Sequence, residues 1–440
     1  MIWIGYTTCY RGGSAEFARA ARTLRDELSR RSPAASVVLE PLVRKQDFVA
    51  AMNRIAERGE HLDELHFLGH SGMYGIMFGS TAWPEQLSPH EWRSMRIPFA
   101  PGASAYFHAC RTTRWFAPFF ARTFGVRTYG HYGYTTVSAR PDRFVWEGLR
   151  TGKDSPLYVV CVPGRKTHGV LGSVRKYVGR PAVDPMTASD PAAPEGDTSY
   201  DAVALLYDRA FADIRVRRDE WRWLERRFDE AHPRDHGARP RVLDVGCGNG
   251  ALLSALEPRV ASGVGVDVSA GMIARAIERT RAQPRLSFRA IHGPKLPFED
   301  GAFDVVTSFL SFRYLDWDPM LEEMRRVLAP GGRLLVVDMV EKPPTLRDAP
   351  QLARSIAMHA VRRARDRGFV RDVAALTSHP DWKTMLRYNP IRAEHEYRWY
   401  LESRFPGRKL VTLNVGRTHR LVAFDTGPRR PEPAAPLSFP

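Results

Sequence analysis

The residues with the clearest chemistry form a glycine-rich turn in the sequence VLDVGCGNG, at 242–250. Gly246, Gly248 and Gly250 lack a Cβ, so the backbone can approach a ligand where any other residue would collide with it. Asp267 closes the next apolar run roughly 20 residues later, where a carboxylate can accept hydrogen bonds from two ribose hydroxyls. The succession of strand, glycine turn, helix and second strand predicts a nucleotide-binding βαβ unit.

The glycine pattern by itself also fits the relaxed fingerprint of dinucleotide-binding proteins. The segments LPF at 296–298, GAFDVVTS at 301–308 and RVLAPGGRLLVVD at 326–338 then predict a fourth strand, a helix, a Pro-Gly-Gly turn and a fifth strand. In this order and spacing the chain resembles class I S-adenosylmethionine-dependent methyltransferases over roughly residues 200–425. The turn contains no lysine or arginine, which fits a ligand without phosphate better than a pyrophosphate.

The resemblance implies a doubly wound, Rossmann-like α/β fold and S-adenosylmethionine as the cofactor. Asp244 matches the family's acidic position that holds the methionine ammonium, directly or through water, and Asp267 matches its ribose position. The other residues that the resemblance places at the cofactor are Gly246, Cys247, Gly248, Asn249, Gly250, Val268, His292, Gly293 and Ser308.

The sequence departs from the family at His292. The usual Gly-Asp-Ala before Leu296 becomes IHG at 291–293, so an imidazole replaces the carboxylate that commonly accepts from the adenine amine. A neutral imidazole nitrogen can accept the same hydrogen bond, or the side chain can face solvent. The sequence leaves both alternatives open.

Methyl transfer asks little of the protein, because a sulfonium already carries an activated methyl group and an in-line nucleophile is most of the requirement. Arg313 and Tyr314 follow the fourth strand, where relatives often place polar active-site side chains. Either residue orients or deprotonates an acceptor, or Tyr314 packs in the core and Arg313 is solvated.

Recognition of a small-molecule or peptide acceptor is expected from the long helical segment 346–400, with a second helix at 200–226 closing the pocket from the other side. The alternative is that the aromatic and sulfur side chains of 346–400 form ordinary core. The side chains in question are Met358, His359, His379, Trp382, Met385, Tyr388 and Trp399.

The first half of the chain carries a separate signal. Strand-like runs at 2–8 and 36–43 flank a helical pattern at 14–30, which predicts an α/β layer. A third strand precedes His70 and a fourth precedes Cys110, so both residues lie at carboxyl ends of strands, the usual place for chemistry in an open parallel sheet.

The segments HSG at 70–72, ACR at 109–111 and QLSPHEW at 86–92 resemble caspase-like cysteine peptidases over roughly residues 1–180. The resemblance implies that His70 assists formation of the Cys110 thiolate, with backbone oxyanion donors at 71–72. The alternatives are a packed cysteine or a relic dyad on a binding scaffold. A metal site of His66, His70, His108 and Cys110 is a weaker interpretation, because the spacings lack the ligand pairs of structural zinc sites. No metal is expected.

Composition agrees with two domains: 1–180, a proline-rich linker at 181–199, a methyltransferase domain at 200–426 and a disordered tail at 427–440. With 4 cysteines, no signal segment and no long apolar run, the sequence predicts a cytoplasmic protein without a membrane partner. The net charge of +16 makes nucleic acid a minority partner, since the arginines are dispersed and no binding motif accompanies them. An arginine excess over lysine is also typical of GC-rich bacterial genomes.

The sequence therefore predicts a methyltransferase with a second, caspase-like domain that bears a His70/Cys110 dyad. One alternative makes the peptidase the principal activity and the second domain a sensor of S-adenosylmethionine. Another makes the first domain a noncatalytic partner-binding module. The sequence does not indicate the oligomeric state or the atom that is methylated.

Overall fold

The computed structural model divides into two compact units, Met1–Glu195 and Gly196–Pro440. The structure describes residues 1–12, 14–131, 134–138, 158–162, 186–193, 200–232, 238–342, 344–388, 391–416 and 419–429. Within these ranges, no helix has the length and apolar character needed to cross a membrane.

The amino-terminal unit is an α/β structure from its first residues, as predicted. Its strands and helices, in chain order, are β1 (Ile2–Thr7), α1 (Ser14–Arg31), β2 (Val37–Leu42), α2 (Lys45–Glu57), β3 (Leu62–Leu68), β4 (Ser71–Gly72), β5 (Gly75–Gly79), β6 (Pro84–Gln86), α3 (Pro89–Ser94), β7 (Phe99–His108), α4 (Phe116–Phe124), β8 (Arg127–Gly130), β9 (Tyr134–Ser138), β10 (Tyr158–Val162) and β11 (Thr187–Ser189).

The main sheet of this unit has the strand order β11-β8-β7-β3-β1-β2. All neighbouring pairs are parallel except β11 with β8. Strands β3 and β7 are adjacent, with Leu68 in register with His108, so the segments that follow both strands begin at the same sheet edge. In the chain segment that connects β3 to β7, strands β4, β5 and β6 form a separate small antiparallel sheet that the sequence did not reveal.

Aromatic packing covers one face of this sheet. The side chains of this layer that are almost completely buried are Trp3, Phe48, Phe67, Phe78, Trp92, Phe107, Phe116 and Phe120. Trp92 is held there by the short helix α3, which begins with a capping box: Ser88 Oγ accepts from the Glu91 backbone at 3.2 Å, and Glu91 accepts from the Ser88 backbone at 2.7 Å.

The carboxy-terminal unit contains the predicted alternation of strands and helices. Its elements are α5 (Ala204–Ala210), α6 (Arg218–Ala231), β12 (Arg241–Val245), α7 (Ala251–Leu256), β13 (Ser262–Asp267), α8 (Ala270–Arg279), β14 (Leu286–Ala290), β15 (Phe303–Phe309), α9 (Trp317–Val327), β16 (Leu328–Glu341), α10 (Ala349–Arg365), α11 (Arg367–Ser378), α12 (Pro380–Tyr388), α13 (Glu394–Arg404), β17 (Val411–Val415) and β18 (His419–Asp425).

The sheet of this unit has the order β14-β13-β12-β15-β16-β18-β17. Strands β12 to β16 are parallel, and β18 enters antiparallel between β16 and β17. The strand order reverses at β12, with β13 on one side and β15 on the other, so a crevice opens beyond the carboxyl ends of these strands. This is a doubly wound, Rossmann-like sheet, and it confirms the predicted fold class of the second half.

Two predicted boundaries need correction. Residues 187–189 of the predicted linker form β11 and pair with β8, because their backbone groups complete the exposed edge of the first sheet. The predicted tail begins too early at 427, since the backbone of Arg429 exchanges hydrogen bonds with Gly331 and Gly332 at 2.9 and 2.8 Å. Residues 181–185 and 194–199 of the linker and 430–440 of the tail lie outside the described residues, and the other domain bounds stay predictions.

Candidate functional site

The glycine turn joins β12 to α7 and is fixed by backbone geometry. Gly246 has a φ of 76°, and a Cβ there would lie 2.3 Å from the Cβ of Ser311. Gly250 has a φ of 71°, and a Cβ there would lie 2.9 Å from Ala276. Gly248, with a φ of 52°, differs, because a Cβ on it would meet no atom within 4 Å. Gly246 and Gly250 thus allow the close packing of the turn, whereas Gly248 faces open space.

Asp267 lies at the end of β13, directly against this turn. One carboxylate oxygen accepts a hydrogen bond from the backbone of Gly248 at 2.9 Å, and the other accepts from the backbone of Ser269 at 2.9 Å. Burial raises the pKa of this carboxyl above its usual value, although the hydrogen bonds to Ser269 and Gly248 oppose the rise. Its neighbour Val268 is 63% exposed and lines the same crevice.

Asp244 lies behind the turn, on β12, and is 1% exposed. Its carboxylate accepts a hydrogen bond from the Thr307 hydroxyl at 2.7 Å. Burial raises the pKa of Asp244 to about 7, the Thr307 bond lowers it, and the nearby Asp267 charge raises it further. A cationic ammonium brought close to Asp244 would stabilise its charged form.

A cavity of about 200 Å³ opens over the turn. Its lining comprises Tyr200, Tyr207, Val245, Gly246, Gly248, Asp267, Val268, Ser269, Met272, Ile291, Phe309, Leu310, Ser311, Tyr314, Leu315 and Met320. The residues present fit S-adenosylmethionine: Gly248 leaves room where a side chain would intrude, and Asp267 offers lone pairs where a ribose would lie. Among the described residues that line the cavity, none is a lysine or arginine, in keeping with a ligand without phosphate.

Three other predicted cofactor residues stabilise the turn from behind. Cys247 is buried, and burial raises the pKa of its thiol well above the usual range. The Asn249 amide donates to Asp208 at 2.9 Å and to the Phe211 carbonyl at 3.1 Å. Ser308 is buried, with its hydroxyl 2.8 Å from that of Ser311. Direct contact of these side chains with the cofactor stays a prediction.

The adenine end of the crevice is lined differently from the expectation. His292 and Gly293 are both exposed, and the residue of this loop that lines the cavity is the buried Ile291. Of the two alternatives for His292, the structure gives the solvent-facing one. A contact between His292 and adenine therefore stays a prediction that this arrangement does not favour.

Tyr314 and Arg313 are neighbours on the segment after β15, but their side chains have different surroundings. Tyr314 lines the cavity, and its hydroxyl lies 3.1 Å from the hydroxyl of Tyr200. Arg313 is 6% exposed and forms a buried ion pair with Asp338, which also accepts from the Tyr397 hydroxyl. The expectation of a solvated or acceptor-binding Arg313 is therefore wrong, because its charge is neutralised inside the core.

A segment at 200–213 covers the cavity and is tied down at two points. Asp201 accepts from the Ser269 hydroxyl at 2.5 Å and from the Gly271 backbone at 2.9 Å. Asp208, one turn into α5, accepts from Asn249 at 2.9 Å and forms an ion pair with Arg279. We call these contacts the two-point clamp. The expected closure by this upstream segment is present, but the single helix predicted at 200–226 is interrupted and forms α5 and α6. Sequence reasoning also missed the two carboxylates that hold the cover.

The helical segment 346–400 stands behind this cover. Trp382 packs against Tyr200 and Tyr207, with ring centroids 6.0 and 6.5 Å away. Met385 is 2% exposed in the same cluster. The cavity lining itself comes from residues 200–320, so Trp382 supports the pocket as a second layer. The side chains of His359 and Tyr388 lie outside the described residues.

One lining residue had no sequence signal. Leu310, just after β15, has a φ of 61°, a left-handed conformation that costs a residue with a Cβ about 1–2 kcal/mol. Its backbone N–H donates to Val337 at 2.7 Å, which fixes the bend. Strained backbone of this kind is typical of functional sites.

In the amino-terminal unit, the structure gives His70 and Cys110 separate partners. His70 Nε2 hydrogen-bonds the Gly12 carbonyl at 3.1 Å, so Nε2 carries the proton and Nδ1 is left as the basic nitrogen. Burial, partly offset by this bond, lowers the pKa of His70 below its usual value. Cys110 Sγ accepts from the Thr135 backbone N–H at 3.3 Å. In the described part of the chain, no hydrogen bond joins His70 to Cys110.

Two histidines of the alternative metal site, His66 and His108, form hydrogen bonds with other side chains. His66 Nδ1 lies 3.2 Å from His108 Nε2, and His66 Nε2 lies 2.9 Å from Glu64. Burial lowers the pKa of His66 and His108. Within the described residues, no group of three or more potential ligands is arranged to hold a metal ion.

Comparison with known proteins agrees with the geometry of the second unit. A family model described as "Methyltransferase domain" matches residues 243–336. A demethylmenaquinone methyltransferase of Thermus thermophilus is 40% identical over 128 residues, covering 28% of this chain and 56% of the relative. One of Beutenbergia cavernae is 42% identical over 149 residues, covering 33% of this chain and 58% of the relative. The chain thus spans little more than half the length of these relatives.

A solved S-adenosylmethionine-dependent methyltransferase from Aquifex aeolicus is 19% identical, covers 46% of this chain and 88% of its own, and has a TM-score of 0.31. The carboxy-terminal region of the protein is a class I S-adenosylmethionine-dependent methyltransferase domain. S-adenosylmethionine is its cofactor.

Proposed function

We propose that the protein transfers the methyl group of S-adenosylmethionine to a small, uncharged acceptor in the cavity of its carboxy-terminal unit. The observation that carries the proposal is the open space beside Gly248, with the Asp267 carboxylate one hydrogen bond away. The cofactor would supply an activated methyl group: the acceptor's electron pair forms the new bond, the carbon–sulfur bond breaks toward sulfur, and the acceptor's proton leaves to solvent.

The chain's own residues would bind and orient the cofactor and the acceptor, and they would exclude water from the cavity. In this proposal Asp267 accepts from the ribose, the 246–250 turn encloses the methionine end, and Asp244 stabilises its ammonium. The two-point clamp holds the cover at 200–213 over the cavity. The names of the two bacterial relatives favour a quinone-type acceptor, and the apolar side chains after β15 agree with one.

Calorimetry on the full chain tests this proposal. We expect binding of S-adenosylmethionine and S-adenosylhomocysteine in preference to a nicotinamide dinucleotide, and loss of that binding in Gly248→Val. Gly407→Val is the matched control, because Gly407 also has positive φ and open space beside it but lies outside the cavity lining. Preferential dinucleotide binding, or equal cofactor affinity in both variants, would refute the assignment.

We also propose a second activity, cysteine-dependent hydrolysis of a caspase-like type in the amino-terminal unit. The specific observations are the fixed tautomer of His70 and the backbone N–H that faces Cys110 Sγ, a favourable contact for a thiolate. The residues follow adjacent parallel strands, β3 and β7. A fluorogenic peptide library, with Cys110→Ser as the control, tests hydrolysis. Cleavage that persists in that variant would exclude Cys110 as nucleophile.

A further inference from the structure

We propose that the hydroxyl groups of Tyr200 and Tyr314 together form the site that holds an oxygen of the methyl acceptor. The acceptor class would be an uncharged ring compound with a hydroxyl group, such as a phenol or a hydroquinone. This inference rests on the proposed methyl transfer and narrows it to a substrate class and two residues.

The position of the pair along the sheet edge supports the proposal. Asp267 ends β13, the glycine turn follows β12, and Tyr314 follows β15, on the side of β12 opposite to β13. A ligand with its ribose at Asp267 and its methionine at the turn would therefore extend away from β13, toward the side of β12 on which Tyr314 lies. The tyrosine pair lies where the acceptor must enter rather than where the nucleoside binds.

The chemistry of the pair fits an acceptor oxygen. The two hydroxyl oxygens are 3.1 Å apart, and one proton occupies the bond between them. One further O–H and several lone pairs remain for a third hydroxyl. Burial raises the pKa of Tyr200 well above its usual range, so this phenol remains a neutral donor across the physiological range.

The surroundings of the pair select against charge. The cavity lining also includes Phe309, the last residue of β15, and Leu310 and Leu315 after it, and all three side chains are apolar. The nearby Arg313 guanidinium lies over the Tyr314 ring at 4.4 Å from its centre, and its charge is paired with Asp338. An acceptor carboxylate or phosphate would find no free cation among the described lining residues, and its desolvation would be uncompensated.

The rings are held in place from behind. Tyr200 contacts Tyr207 edge to face at 5.4 Å and Trp382 at 6.0 Å. Asp201, the next residue, anchors the backbone at the start of α8. A hydrogen-bonding pair whose members are fixed by packing loses little entropy on binding an acceptor, as an acceptor site requires.

The experiment uses the full chain with S-adenosylmethionine and three probes: 1,4-naphthohydroquinone under anaerobic conditions, its dimethyl ether, and 1,4-dihydroxy-2-naphthoate. The variants are Tyr200→Phe, Tyr314→Phe and the double change. Tyr400→Phe is the control, since it removes a buried tyrosine hydroxyl, bonded to Asp318, that is outside the cavity lining. Cofactor affinity is measured by calorimetry, and transfer by release of S-adenosylhomocysteine.

We expect methylation of the hydroquinone, and at least about tenfold lower kcat/KM for the ether and the carboxylate. Each Tyr→Phe change should lower kcat/KM for the hydroquinone about fivefold to tenfold, with cofactor affinity unchanged, as expected for one lost hydrogen bond. The double variant should lose little more than the stronger single variant, because the hydroxyls act as a pair.

Several outcomes would overturn the inference while leaving methyl transfer intact. These are unchanged kcat/KM in the folded variants, a loss of cofactor affinity that accounts for the whole effect, or a preference for the carboxylate. Absence of transfer to the hydroquinone by a wild-type protein that binds the cofactor would also overturn the acceptor class. Failure of the wild-type protein to bind S-adenosylmethionine refutes the proposed function instead.

Discussion

The carboxylate of Asp267 accepts a hydrogen bond from the backbone N–H of Gly248 at 2.9 Å. This bond joins the end of the second strand of the sheet to the part of the glycine turn that faces open space. The group proposed to bind ribose and the group proposed to admit the methionine therefore belong to one hydrogen-bonded unit. A change in either residue should alter the position of the other.

Asp267→Ala should weaken S-adenosylmethionine binding by more than the lost ribose contacts alone. Each hydrogen bond to an ionised carboxylate contributes about 1.5–3 kcal/mol, and the Gly248 backbone also loses its partner. Asp267→Asn retains an acceptor oxygen and should lose less affinity. Calorimetry of both variants, with circular dichroism to confirm folding, checks the predicted order of their cofactor affinities. Equal affinities for wild type and Asp267→Ala would remove Asp267 from the cofactor site.

Asp244 should make both stability and cofactor binding depend on pH. Its pKa is about 7 in the folded protein against 3.8 for an ordinary aspartate, so the folded chain holds a proton that the unfolded chain releases between these values. The contribution to the free energy of unfolding is therefore full below about pH 4 and is lost as the pH rises through about 7, by at most about 4 kcal/mol. Asp244→Asn should flatten this dependence in chemical denaturation.

Cofactor affinity should show the opposite trend. If Asp244 stabilises the methionine ammonium, binding favours the carboxylate, and affinity should rise between about pH 6 and pH 8 with release of a proton. Calorimetry in buffers of different ionisation enthalpy detects that proton. An identical pH dependence in Asp244→Asn would show that other groups are responsible.

The two-point clamp should govern the order of the cover at 200–213. Asp208→Ala removes the ion pair with Arg279 and the bond from Asn249, and we expect a loss of about 1.5–3 kcal/mol of local stability. Hydrogen exchange in α5 should accelerate and cofactor affinity should fall. The matched control is Arg275→Gln on the same helix as Arg279. It breaks an exposed pair with Glu278 and should cost under about 1 kcal/mol. Equal protection of α5 in both variants would argue against the clamp.

Trp382→Ala should impair acceptor turnover and leave cofactor affinity nearly intact. The indole packs behind Tyr200 and Tyr207 but does not line the cavity, so its loss loosens the acceptor side alone. We expect about tenfold lower kcat/KM. Trp399→Ala serves as the control, because this indole makes a tilted contact with His395 within α13, with the ring centroids 4.5 Å apart. Full activity of Trp382→Ala would place acceptor recognition elsewhere.

Local sequence predicted those parts of the site that depend on local backbone chemistry. The turn at 242–250, the carboxylate of Asp267 and the parallel strands each have a signature within a few residues, and the structure contains all of them. Asp201 and Asp208 carry no such signature, since each acts through a partner some 40 to 70 residues away in sequence. Register across a sheet is also nonlocal, which is why β18 between β16 and β17 was not foreseen.

The burial of the Arg313 charge also could not be predicted from the local sequence. A sequence pattern assigns an arginine after a strand to solvent or to a ligand, because burial of its charge is costly without a partner. The partner, Asp338, lies on β16 and approaches only when β15 and β16 pair. Adjacent Tyr314 does line the cavity, so the two neighbours were distinguishable only by their three-dimensional surroundings.

Cys110 should be the reactive thiol of the amino-terminal unit. It lies at the end of a strand, with a backbone N–H 3.3 Å from its sulfur, whereas Cys9 is exposed and serves as the internal reference. We expect faster alkylation of Cys110 by iodoacetamide near neutral pH, measured by mass spectrometry of the labelled peptides. Burial lowers the pKa of His70, so if His70 is the base, its imidazole is neutral at that pH and the rate should fall only in acid solution.

His70→Ala should slow this labelling severalfold, and His61→Ala, at an exposed histidine of the same unit, should leave it unchanged. A general base raises the rate by assisting deprotonation of the thiol, so the effect of His70 should be smaller in alkaline solution, where hydroxide can take the proton instead. Rapid labelling without peptide cleavage would retain the dyad and point to acyl transfer or narrow specificity. Equal rates for Cys110 and Cys9 at every pH would remove the nucleophile and make the unit a binding module.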